Sequence, residues 1–275
     1  MLRLNGAPVD GAHAVFDLAD RGLTLGDGLF ETIPVFGGRP VLLARHLDRL
    51  EAAAAEIRLP VDRAFCESEA LALAASADGD CVIRLTVTRG AGARGLAIPD
   101  GGEPTVIAAA SPYPKGALNA PIRLATVSVR RNPTSFAARA KTLSYLDSVL
   151  AFDAARRAGA DDALMLNVSG RVACTAMANL FAAFDGTIVT PPVSEGVLPG
   201  VIRALVLEVC ASLGLAAEER PLAVDDLFGA DAVFATNSVR LVMPATALDG
   251  RALGGDGDAA GRLRAAVAEA CGASA

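Results

Sequence analysis

The stretch from Ser111 to Pro121 (Ser-Pro-Tyr-Pro-Lys-Gly-Ala-Leu-Asn-Ala-Pro) carries three prolines and a glycine. Proline fixes φ and removes a backbone donor, so helices and central strands rarely pass through such a run. The 275-residue chain is therefore expected to divide there. A first domain would cover 1–110, a linker 111–121 and a second domain 122–275, and both domains would be of ordinary size.

Strand and helix patterns alternate irregularly on both sides of this division. Leu2-Arg3-Leu4 reads as a strand turned by Asn5-Gly6, and 30–36 as a strand turned by Gly37-Gly38. Leu43, Leu47, Leu50 and Ala54 recur at helical intervals, which predicts a helix over 43–59, followed by a second over 62–76. Strands are expected at 81–88, 104–110 and 122–129. A helix from Leu143 should end at Gly159, with Leu143, Leu146 and Leu150 on one face. Further strands fall at 162–167 and 180–184. Pro199-Gly200 opens a helix to Leu213, strands follow at 231–237 and 240–248, and a last helix covers 257–271. The many hairpin turns point to α+β layers rather than a doubly wound parallel sheet.

Composition excludes several classes. Hydrophobic residues make up 52% of the chain, yet no apolar run reaches the roughly 20 residues that span a bilayer. The N-terminus lacks a signal-peptide hydrophobic region, so a soluble cytoplasmic protein is expected. The five cysteines include no Cys-x-x-Cys pair, which suggests free thiols in a reducing compartment. His13 and His46, the two histidines, stand in unrelated contexts, and no metal site is expected. Net charge is −6 without a basic run, which gives nucleic-acid binding little support.

Among 25 basic residues only Lys115 and Lys141 are lysines. Arginine stays protonated and is a poor nucleophile, so a retained lysine hints at a need for a primary amine. Lys115 lies in the linker and is expected to be solvated. Lys141 precedes an apolar run that looks helical. A lysine amine withdrawn from water has a lowered pKa and forms Schiff bases with carbonyl compounds. An arginine-biased composition would also leave a stray lysine at a helix start, and the residue alone does not separate the two. Pro199-Gly200-Val201-Ile202-Arg203 offers helix-opening amides suited to phosphate, and Thr236-Asn237-Ser238 offers hydroxyls and an amide at a strand end. Each reads equally as an ordinary cap or turn. Arg89-Gly90-Ala91-Gly92-Ala93-Arg94-Gly95-Leu96 is a glycine-rich loop whose arginines suit a substrate carboxylate, or a mobile surface loop.

In their shared order these pieces resemble the class IV, or fold type IV, pyridoxal-phosphate enzymes. That family includes branched-chain aminotransferases, D-amino-acid transaminases and 4-amino-4-deoxychorismate lyases. The resemblance runs through Asp20-Arg21-Gly22, the segment from Leu25 to Thr32, His46-Leu47-Asp48-Arg49-Leu50, Thr88-Arg89-Gly90 with Arg94-Gly95, and Lys141. It continues through Ala178-Asn179-Leu180-Phe181, Gly200-Val201-Ile202-Arg203, and Thr236-Asn237-Ser238 before Met243-Pro244. It implies a two-domain fold like that of D-amino-acid aminotransferase, with pyridoxal 5'-phosphate between the domains. Lys141 would be the Schiff-base lysine and the acid/base for the substrate Cα proton. Arg49, the amides of Val201 and Ile202, and Ser238 with its neighbours Thr236 and Asn237 would hold the phosphate. Phe30, Arg94 and Leu96 would meet the substrate, with Arg94 supplied by the second subunit of a homodimer.

Two departures bear on activity. When the flanking glycine and asparagine are aligned, Cys174, five residues before Asn179, takes the place where the family usually has a glutamate near the pyridine nitrogen. A carboxylate there keeps the ring a strong electron sink, whereas a thiol is only a weak hydrogen-bonding group. Leu96 and Phe30 also replace polar groups found in individual branches of the family. Tyr145 either returns toward the cofactor on a helix or packs in the core. The resemblance implies an aminodeoxychorismate-lyase-like enzyme first, a D-amino-acid or branched-chain transaminase second, and a cofactor-binding protein with weakened catalysis third.

Overall fold

A computed structural model describes every residue except Ala12, Lys115, Asp256, Ser274 and Ala275. The solvated position expected for Lys115 therefore lies outside the described residues. The chain forms two compact units, Met1–Pro114 with Ala140–Ser144, and Lys115–Arg139 with Tyr145–Ala275.

The first unit contains β1 (Leu2–Leu4), β2 (Ala7–Val9), α1 (Arg21–Leu25), β3 (Gly28–Phe36), β4 (Arg39–Pro40), α2 (Leu43–Glu56), α3 (Arg63–Ser76), β5 (Cys81–Thr88) and β6 (Thr105–Pro112). The strands form one sheet in the order β2-β1-β6-β5-β3-β4. Asn5 and Gly6, with φ of 47° and 85°, make the tight turn between β1 and β2. Strand periodicity puts Glu31, Ile33 and Val35 on one face of β3, opposite Ile83 and Leu85 of β5. Leu47, Leu50 and Ala54 of α2 are buried beneath, and each leucine contributes roughly 2 kcal/mol by leaving water. The α2 helix stops at Glu56 rather than near Leu59. Arg58 turns into the left-handed region, and Arg89 donates to the freed carbonyls of Ile57 and Arg58, both at 2.8 Å. Strand β6 continues through Ser111 and Pro112, paired with Val82 and Cys81, so the first part of the proline-rich run is sheet rather than linker.

The second unit contains β7 (Ile122–Arg131), α4 (Phe136–Arg139), α5 (Leu146–Arg157), β8 (Asp162–Asn167), β9 (Val172–Thr175), β10 (Asn179–Phe184), β11 (Thr187–Thr190), a 3-10 turn (Val193–Glu195), α6 (Val201–Ser212), β12 (Ala217–Glu219), α7 (Val224–Phe228), β13 (Ala232–Asn237), β14 (Leu241–Leu248), β15 (Arg251–Ala252) and α8 (Asp258–Ala270). Strand β9 pairs with both β8 and β10, so the sheet closes through β10-β13-β14-β7-β8-β9. One core holds Ile122, Leu124, Leu164, Leu180 and Met243, and another packs Ala151 and Ala155 of α5 against Met165 and Cys174.

The sequence predicts a helix from Leu143 with Leu143, Leu146 and Leu150 on one face. Instead α5 starts at Leu146, its buried residues are Ser148, Ala151 and Ala155, and Leu146 and Leu150 are 67% and 51% exposed. Small residues let the helix approach the sheet closely, which leaves the leucines outside. Residues 140–144 stay out of the helix because their hydrogen bonds go to β3. The Phe30 amide donates to the Lys141 carbonyl at 2.9 Å, and the Leu143 amide to the Gly28 carbonyl at 3.0 Å.

Candidate active site

Lys141 is thus carried on an extended segment beside β3 rather than at a helix start. Its neighbour Thr142 bridges to Leu29. This pairing requires Gly28, because a Cβ there would lie 2.6 Å from the Val87 carbonyl and 2.8 Å from Leu143. The Lys141 amine lies 4.2 Å from the centre of the Phe30 ring, whose face also carries the Arg84 guanidinium at 3.8 Å. Burial lowers the Lys141 pKa, Glu31 opposes that, and Arg49 and Arg84 add to it, giving about 8. The amine is accordingly part-deprotonated near neutral pH.

Glu31 is the buried counter-charge. Its Oε1 accepts from Arg49 Nε at 2.8 Å, and its Oε2 from Arg49 Nη2 at 2.5 Å. His46 Nδ1 lies 2.7 Å from the same Oε2. Burial would raise the carboxyl pKa, but the Arg49 charge and the hydrogen bonds from His46 and Arg49 hold it down to about 2. Burial pushes His46 the other way, below its ordinary value, against the pull of Glu31. A neutral imidazole facing an ionised carboxylate carries its proton on Nδ1, because the carboxylate only accepts.

In the second unit the predicted residues align across neighbouring strands. Cys174 of β9 is opposite Asn179 of β10, and Asn179 is opposite Thr236 of β13. Directly paired residues share a sheet face. The Asn179 side chain donates to the Leu198 carbonyl at 2.9 Å, just before α6. A Cβ on Gly200 would come within 2.0 Å of Asn179 Oδ1, so any larger residue there must displace that side chain or the α6 opening. No side chain caps the start of α6, whose first residues are Val201 and Ile202. Thr236 Oγ1 is buried and is one of three such side-chain atoms without a hydrogen-bond partner among the described residues; the others are Thr142 Oγ1 and Arg203 Nε. Asn237 is differently employed, since its Oδ1 accepts from the Val239 and Arg240 amides and shapes the turn. Ser238 follows in that turn and is half-buried. Burial raises the Cys174 thiol pKa, with Arg131 opposing and Asp162 assisting, so the thiol is neutral.

A family model described as Amino-transferase class IV matches residues 28–248. The chain belongs to the class IV aminotransferase family. Members of this family are pyridoxal-phosphate-dependent transaminases and lyases. A provisionally named branched-chain-amino-acid aminotransferase of Methanocaldococcus jannaschii is 37% identical over 91% of this chain and 88% of its own. The 4-amino-4-deoxychorismate lyase structure from Pseudomonas aeruginosa is 35% identical, covers 98% of both chains and superposes with a TM-score of 0.87. A pyridoxal-phosphate-bound hypothetical aminotransferase from Mycobacterium tuberculosis is 26% identical over 98% of both chains, with a TM-score of 0.88.

In the first unit the Lys141 amine lies against the Phe30 ring and within reach of the Arg49 charge. The same unit leaves Arg94 and Leu96 exposed. Tyr145 precedes the first turn of α5 and is not on a helix with Lys141. Glu31 and His46 were not singled out from sequence as site residues. A signal for them existed: a carboxylate in phase with Ile33 and Val35 on a buried strand face, and a histidine one helical turn from Arg49.

Proposed function

We propose that this chain is a pyridoxal-phosphate-dependent enzyme of the aminodeoxychorismate-lyase type, releasing pyruvate and forming 4-aminobenzoate. The observation that carries the cofactor assignment is the Lys141 amine, held beside Phe30 with its pKa lowered to about 8. The donor groups also fit the cofactor's anionic end. In the second unit the uncapped opening of α6 supplies amides, and the unpartnered Thr236 hydroxyl is the kind of group a phosphate oxygen satisfies. Bound pyridoxal phosphate supplies an aldehyde for covalent capture by an amine and a ring that accepts electrons from a substrate carbanion. In this reading Lys141 takes the Cα proton on Nζ and returns it. Val201, Ile202, Thr236 and Ser238 of the second unit hold the phosphate, and Asn237 sets the turn that presents Ser238; the family resemblance adds the charge of Arg49 to them.

Arg94 and Leu96 would meet substrate in a second copy of the chain, making the working form a homodimer. Their exposure, and that of Leu146 and Leu150, support this assignment. A cytoplasmic location agrees with five free, buried thiols. No helix among the described residues is long and apolar enough to cross a membrane.

A visible spectrum of the fresh protein before and after borohydride tests the cofactor assignment, and a band abolished by the reductant is expected. Incubation with aminodeoxychorismate should then yield pyruvate without amino-group transfer. A transaminase is the second reading, favoured by the 37% identical relative, and amino-group transfer to 2-oxoglutarate would select it. A neutral Cys174 thiol favours a third reading, in which the cofactor binds but the ring is a weaker electron sink. A protein whose colour persists with every amino donor would support that reading. Rates unchanged or lower in Cys174→Glu would remove Cys174 as the cause.

A further inference from the structure

In the first unit an arginine and a histidine are held on one carboxylate, and a lysine feels its charge. The Glu31 charge raises the Lys141 pKa, the Arg49 and Arg84 charges lower it, and His46 is close enough to feel the same amine. Arg49 and His46 come from α2, Arg84 from β5 and Lys141 from the extended 140–144 segment, so charge from three other elements meets at β3. Both oxygens of Glu31 are engaged. The Nε edge of Arg49 is gripped through two bonds, which fixes the guanidinium plane, and His46 adds a neutral donor without adding charge.

Resting on the proposed function, we propose that Glu31 is a positioning residue: clamped by Arg49 and His46, its carboxylate fixes the Arg49 plane and serves as the counter-charge of the Lys141 amine. The physical argument is one of balance. Without Glu31, the ammonium form of Lys141 would face Arg49 and Arg84 without the carboxylate that opposes them, and its pKa would fall further. Without Arg49, the carboxylate would hold the proton on Lys141 more firmly. Glu31 and Arg49 therefore act on the amine with opposite sign, which a merely space-filling pair does not do.

Because Lys115 and Lys141 are the only lysines, the amine can be titrated without cofactor. The full chain, stripped of cofactor, is reacted briefly with acetic anhydride from about pH 5 to about pH 10, bracketing the lysine range. Acetylation at Lys141 is read by peptide mass, with Lys115 as internal reference. The wild-type midpoint is expected near 8. In Glu31→Gln it should fall by about 1 to 3 pH units, in Glu31→Asp it should return most of the way, and in Arg49→Gln it should rise. A folded Glu31→Gln protein with an unmoved midpoint overturns the proposal, as does a downward shift in Arg49→Gln. If Glu31→Gln does not fold, the sign of the Arg49→Gln shift decides. The measurement is independent of what the lysine captures. Opposite shifts in a protein that never acquires a cofactor band would retain Glu31's role and discard the functional reading.

Discussion

Lys141 sits among formal charges; Thr236 offers a buried hydroxyl without a partner. In the first unit the site groups are paired before any ligand arrives: Glu31 with Arg49 and His46, and Lys141 against the Phe30 ring. In the second unit they are neutral and under-used: a helix opening without a side-chain cap, a buried hydroxyl without a partner and a neutral thiol. The difference teaches where the penalties lie. Breaking a buried ion pair leaves an uncompensated charge in the protein itself, so changes in the first unit should cost stability as well as function. An unsatisfied hydroxyl already costs the free protein, so removing it should cost only the ligand.

The sharpest break of this contrast is Lys141→Ala. It removes the captured amine and a cation, and activity should fall on the order of a thousandfold or more, together with the visible band. A band that survived would place the covalent link elsewhere. Next is Gly200→Ala. The added methyl, 2.0 Å from Asn179 Oδ1, forces either the α6 opening or the Asn179–Leu198 bond to move. Cofactor affinity should fall on the order of a hundredfold, about 3 kcal/mol, measured by equilibrium titration. Gly37→Ala is the control, since its Cβ would meet nothing and only its φ of 53° is strained.

Thr236→Val follows with a smaller effect of mixed sign. The valine keeps the shape and removes the orphaned hydroxyl. The free protein should melt at the same temperature or a few degrees higher, while cofactor retention drops by about tenfold or less. Equal loss of stability in the free and loaded forms would show that the hydroxyl serves the protein and not a ligand.

How much of this was legible depends on whether a feature is local. Hairpin turns and most element bounds follow from nearest neighbours, and Asn5-Gly6, the Pro199-Gly200 opening and the strand at 81–88 appear where their residues require. The lysine's setting was not legible. Leu143 and Leu146 suggest a helical face, but the hydrogen bonds of 140–144 go to β3, more than a hundred residues earlier in the chain. The α5 face was missed for a related reason, because alanines at 151 and 155 win the buried side by fitting closely rather than by being the most apolar. The Glu31–His46 pair joins a strand to a helix across fifteen residues, and only the strand's inward phase hinted at it.

The last effect concerns acid, and its sign differs between the units. Glu31 has its pKa depressed from 4.5 to about 2, so it adds stability above pH 4.5 that is lost as pH falls toward 2. Asp27, held low by Arg89 and Arg21 against its burial, behaves the same way. His46 is depressed below 6.5, so the unfolded chain takes up its proton first and stability already declines as pH falls through 6.5. In the second unit, burial raises Asp162 above 3.8 despite its hydrogen bonds to Thr175 and to the Ala163 and Ala176 amides. The folded form then protonates first, and the second unit gains relative stability as pH falls through that range. The exposed Asp161–Arg123 pair is screened by solvent and weighs little. Hydrogen exchange at about pH 3 and about pH 7 should therefore show β3 and α2 losing protection by on the order of 1 to 3 kcal/mol, while β8 and β9 lose less. Equal loss in both units would mean that the charged cluster does not set the acid limit of the first, and the contrast between the two halves would then reduce to their ligand contacts alone.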